Sequence, residues 1–79
     1  MSQHDLPGEI KPKKFFRALA RLGFVIDTTG GKGSHTKAVW KNQKSITIPN
    51  HLPRQVLRYI LKEIEEISSV TWEMIEKEL

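Results

Sequence analysis

Two amphipathic helical patterns bracket three short strand-like runs, and that order constrains the fold of this 79-residue chain more than any other feature. The clearer pattern is Val56, Leu57, Ile60, Leu61 and Ile64, whose spacings of three and four put one apolar stripe on a helix from Pro53 to about Ile67. Phe15, Phe16, Leu19 and Leu22 make a second stripe, on a helix from Lys11 to Leu22. Pro12 suits its first turn and Gly23 the position just past its end. Between the helices, Phe24–Thr28, Ser34–Trp40 and Ser45–Ile48 read as strands. Val25 and Ile26 favour extended backbone, Ile46 and Ile48 share a face, and Pro49 stops the third run. "KNQK" (41–44) reads as a hairpin turn in which Asn42 tolerates a left-handed conformation. After the break at "SS", Thr71 is placed to cap a short helix, Trp72–Lys77, docked by Val70, Trp72 and Ile75.

The predicted order is α-β-β-β-α with an extra C-terminal helix. A three-stranded antiparallel meander with both long helices on one face gives a two-layer α+β sandwich, its other face left to solvent or a partner. Residues 1–10, with Pro7 and Gly8, read as a loose arm, and residues 11–79 as one domain without repeats.

Charge is unevenly divided. Residues 1–62 carry twelve Lys and Arg against Asp5, Glu9 and Asp27, whereas residues 63–79 carry Lys77 against six Glu. A basic body with an acidic tail suits a polyanion, and nucleic acid is the expected one. The cations group on the first helix (Lys14, Arg17, Arg21), the hairpin (Lys32, Lys37, Lys41, Lys44) and the second helix (Arg54, Arg58, Lys62). No array of aromatics suggests base stacking, so recognition by shape and phosphate is expected. There are no cysteines, which excludes disulfides and thiol chemistry. Three histidines without supporting spacing make a poor metal site, and no cofactor is expected. "GGKGS" lacks the glycine–lysine spacing of a P-loop. No apolar run approaches the roughly 20 residues that span a bilayer, and "MSQHDLPGE" is unlike a secretory signal, so a cytoplasmic protein is expected.

The chemistry centres on "GGKGSHTKAVW", Gly30–Trp40. His35 offers an imidazole that gains and loses protons near neutral pH. Lys32, Gly33 and nearby amides suit a phosphate, and Ser34 either binds phosphate or caps a turn. A two- or four-residue hairpin loop sets His35 opposite Asn50, and a three-residue loop sets it opposite Pro49 or His51. Each register brings His51 near His35 provided that pairing persists so far. His51 then supports catalysis, or merely leads into the helix within "PNHLP". Turn parity also decides whether Val39, or Ala38 with Trp40, faces the core.

These residues resemble a known family. "ALARLGFVIDTTGGKGSHTKAVW", "SITIPNH" and "LRYILKEI", in that order, look like a HicA-type toxin, the small mRNA-cleaving partner of a HicB-type antitoxin. The resemblance runs from about Lys11 to Ile67. It implies a fold similar to double-stranded RNA-binding domains, His35 as the catalytic residue, mRNA as substrate and an antitoxin bound over His35. Two departures stand out: "RQV" where the family usually has Gly-Thr before Leu-Arg, and "EEISS" where a glycine turn often ends the helix. A non-catalytic double-stranded RNA-binding module is the alternative, in which the cations matter and His35 does not.

Overall fold

The computed structural model describes residues 6–27, 35–41 and 43–79, with His35 described by its backbone. The elements run β1 (Glu9–Ile10), α1 (Pro12–Arg21), β2 (Phe24–Asp27), β3 (His35–Trp40), β4 (Lys44–Pro49), β5 (Leu52–Pro53), α2 (Arg54–Ser68) and α3 (Trp72–Glu78). The expected α-β-β-β-α order with its added helix is present, and β2-β3-β4 form the three-stranded antiparallel sheet.

Pro12 opens α1, where its fixed φ suits the first turn. The helix closes through Leu22, whose amide reaches the carbonyls of Ala18 and Leu19, and the chain leaves at Gly23 with φ +115°. Phe15 and Leu19 of the predicted stripe are fully buried, Phe16 and Leu22 pack partly buried against the core, and Ala18, outside the stripe, is fully buried as well. Leu57, Ile60, Leu61 and Ile64 of α2 are buried in the same core. Thr71 caps α3, its hydroxyl oxygen accepting from the Met74 amide at 3.4 Å. Trp72 and Ile75 pin α3 into the core, and it packs on α1.

The hairpin register is now fixed. A three-residue turn, 41–43, pairs Trp40 with Lys44, Ala38 with Ile46 and His35 with Pro49. Lys41 takes the left-handed conformation, φ 53°, and Asn42 lies outside the described residues. Ala38 is fully buried and aligned with Ile46 and Ile48, so the even-numbered positions of β3 line the core. Trp40 is half-buried, its ring tilted against Phe24 with centroids 4.8 Å apart, and the Lys41 ammonium sits 5.3 Å from it. The opposite sheet face carries Val25, Lys37, Ser45 and Thr47, all exposed.

The N-terminal segment departs from expectation. Residues 1–10 were expected as a loose arm. Instead Leu6 and Ile10 are buried, and β1 pairs with β5, Glu9 against Pro53 and Ile10 against Leu52. The Arg54 amide donates to the Gly8 carbonyl at 2.8 Å, which extends the pairing into α2. The apolar side chains at 6 and 10 explain the docking, since leaving both in water forfeits their transfer free energy. Residues 1–5 lie outside the described residues.

Candidate functional site

β3 places His35 at its first position, with Pro49 of β4 as its Cα partner. Ser34, Lys32 and Gly33 lie outside the described residues, as does the His35 side chain. Lys37, two positions on, is exposed on the open sheet face, with Thr47 and Asp27 as its cross-strand partners.

His51 does not extend the β3–β4 ladder. β4 ends at Pro49, the chain bends at Asn50, and the His51 Nδ1 lies 3.1 Å from Oε2 of Glu9. Both side chains are largely exposed, 71% and 60%. Glu9 reaches His51 because β1 lies beside β5, so a carboxylate from the head of the chain meets an imidazole 42 positions later. Nothing local in the sequence signals this contact. The one hint is the pair of apolar residues, Leu6 and Ile10, in a segment otherwise polar enough to stay in water.

The cations of α2 stand together. Arg54, Arg58 and Lys62 are all exposed and spaced by four, beside the buried stripe. Arg54 also donates from Nε to the Pro7 carbonyl at 3.4 Å, so it holds the N-terminal segment as well. Arg58 and Lys62 make no hydrogen bond or ion pair among the described residues. The cations of α1 are placed differently. Lys14, Arg17 and Arg21 border a shallow cavity with Glu78 and Leu79, and Arg21 donates to the Glu78 carbonyl at 3.0 Å. The end of the acidic helix thus lies against the basic side of α1. Lys14, Arg17 and Arg21 are exposed like the cations of α2, but Arg21 is engaged by the end of α3.

Among the described residues, no three His, Cys, Asp or Glu side chains stand close enough to hold a metal ion, and no helix is long and apolar enough to cross a membrane.

Searches of curated proteins and of solved structures find no match to the chain. One protein-family model does match, described as "HicA toxin of bacterial toxin-antitoxin", over residues 12–66. Those limits run from the first residue of α1 to the last turn of α2 and take in the whole three-stranded sheet. They leave out β1 and α3. With well over half of the sequence matched and the α-β-β-β-α order present in space, the chain belongs to the HicA family of toxins of bacterial toxin–antitoxin systems.

Proposed function

We propose that this toxin binds and cleaves mRNA in the cytoplasm, with His35 as general base, and that a HicB-type antitoxin silences it by covering His35. Family membership carries the reading. The position of His35 supports it: "GGKGS" precedes it in the chain, and it begins a strand of a sheet whose open face is exposed at Val25, Lys37, Ser45 and Thr47.

The chemistry follows from those residue types. His35 takes the proton of a ribose 2′-hydroxyl, whose oxygen attacks the adjacent phosphorus. Lys32, Lys37 and the amides around Gly33 offset the charge that builds on the phosphoryl oxygens, with Ser34 as a further donor. Arg54, Arg58 and Lys62 hold flanking phosphates. One general base contributes typically about 10²–10⁴-fold.

Cleavage of a long RNA by the purified chain, compared with His35→Ala and with the matching DNA, tests this. The expected result is cleavage of RNA alone, lost in His35→Ala while RNA binding persists. DNA cut equally well, or cleavage retained in His35→Ala, overturns the 2′-hydroxyl mechanism. RNA bound without cleavage by the unmodified chain makes it a binding module instead.

A further inference from the structure

The Glu9–His51 contact lies outside everything the proposed mechanism uses. It carries an exposed carboxylate and an exposed imidazole 3.1 Å apart. As a stabilising element a contact this open to water contributes little. The ring atom it meets is nevertheless informative. The carboxylate engages Nδ1 and leaves Nε2 out of the contact, the arrangement by which a carboxylate fixes the tautomer and orientation of a working histidine. Glu9 is itself held by pairing with Pro53 and by the neighbouring Arg54–Gly8 hydrogen bond.

The location matters as much. His35 has Pro49 as its Cα partner, and His51 follows Pro49 by two residues. Steps of about 3.8 Å along the chain and about 5.5 Å across the ladder put the Cα atoms of the two histidines at most about 13 Å apart. Side chains borne on Cα atoms within that bound are long enough to reach one phosphodiester when both turn toward it.

We infer that His51 is a second catalytic residue, the general acid that protonates the leaving 5′-oxygen through Nε2, and that Glu9 is the positioning residue that orients it. This rests on the RNA-cleavage reading above. The balance is simple. His35 removes the 2′-hydroxyl proton, the 2′-oxygen bonds to phosphorus, the bond from phosphorus to the 5′-oxygen breaks, and that oxygen takes the Nε2 proton of the His51 imidazolium. The products are a 2′,3′-cyclic phosphate and a free 5′-hydroxyl. His35 ends protonated and His51 neutral, and exchange with solvent resets both. Glu9 belongs to β1, outside the family match, so this carboxylate is a feature of this chain rather than of the matched region.

The test uses a leaving group that needs no acid. The linkage cut by the unmodified chain is mapped in a long RNA. Oligonucleotides spanning it are then made with either the natural 5′-oxygen or a 5′-bridging sulfur, which departs as a thiolate. On the oxygen substrate, His51→Ala is expected to lower kcat by about 10²-fold or more, and Glu9→Ala to lower it severalfold, with KM unchanged in both. On the sulfur substrate both variants regain the unmodified rate, while His35→Ala remains inactive on either. Nitrogen NMR of the His51 ring gives a readout apart from activity: the neutral ring carries its proton on Nδ1, and Glu9→Ala shifts it toward Nε2. Wild-type rates in both variants on the oxygen substrate overturn the inference and leave the role of His35 standing. So do equal losses on the two substrates, which mark a structural contact. A folded, unmodified chain that cuts no RNA overturns the cleavage reading and this inference together.

Discussion

Gly23 lies directly against Trp40: a Cβ built on this glycine would stand 3.1 Å from Cζ3 of the indole ring. The same residue has φ +115°, a conformation that side-chain-bearing residues rarely adopt. Two separate constraints thus meet at the middle of "LGF", where α1 hands over to β2. One is the turn that ends the helix. The other is the approach of the strand-end tryptophan, which packs on Phe24 next door.

Gly23→Ala is therefore expected to destabilise the chain by about 1–3 kcal/mol, from backbone strain and from displacing the ring. For a domain this small each kcal/mol is worth about 4–8 °C in Tm. Chemical denaturation of Gly23→Ala, Trp40→Ala and the double variant separates the two causes. The contact part of the loss vanishes in the Trp40→Ala background and the strain part persists.

The parity of β3 gives a second prediction. Ala38 is fully buried between Ile26 and Ile46, whereas Val39 faces away from the core. Ala38→Leu is expected to cost about 1–3 kcal/mol by overpacking. Val39→Thr should stay within about 0.5 kcal/mol. Comparable losses at both sites, read from urea unfolding midpoints, would contradict the register.

That register shows where the sequence was legible and where it was not. Helix stripes are local, so Phe15, Leu19, Leu57, Ile60, Leu61 and Ile64 all fell on the buried side where their spacing put them. The face of β3 was open because one residue more or less in the turn inverts every side chain, and the turn carries no diagnostic dipeptide. Among the described residues of the turn, Lys41 takes a left-handed conformation that nothing in its residue type announces. Pairing of β1 with β5 is a contact between distant segments, and two strands of two residues each have no period to detect. The proximity of His51 to Glu9 was hidden for that reason, whereas the position of His35 at the head of a strand was readable from the glycines before it.

The end of α2 supplies a third prediction. The "EEISS" at the end of α2 puts Ser69 in the left-handed conformation, φ 65° and ψ 12°, with its amide donating to the Glu65 carbonyl at 2.9 Å. Ser68 helps by donating to the Ile64 carbonyl at 2.7 Å and accepting from the Val70 amide at 3.1 Å. A serine adopts this conformation at a cost of about 1–2 kcal/mol, which glycine avoids. Part of that gain is lost to the greater freedom of glycine in the unfolded chain. Ser69→Gly should thus stabilise by about 0.5–1 kcal/mol, read as a rise of a few degrees in Tm. A fall would show that the Ser69 hydroxyl does more than occupy the cap.

The charge order along α2 runs against its own dipole, and this carries the last prediction. No acidic residue stands in the first turn and no basic residue in the last. Arg54 and Arg58 lie toward the N-terminal end, where a helix favours anions, and Glu65 and Glu66 lie toward the C-terminal end, where it favours cations. A helix selected for stability alone would reverse this. One bound to phosphate would keep it, because the ligand then supplies the missing negative charge beside the positive helix end. Gln55, exposed in the first turn, separates the two demands. Gln55→Glu should stabilise the chain by about 0.3–1 kcal/mol through the dipole and weaken RNA binding at the same time. Arg58→Ala and Lys62→Ala should each lower the slope of log affinity against log salt by about one. Arg21→Ala, whose guanidinium is already committed to the Glu78 carbonyl, should lower it less. Binding measured across a salt series on one RNA resolves all four. Equal slopes for the α2 variants and the unmodified chain would remove α2 from the proposed RNA-binding surface, whatever the fate of His35.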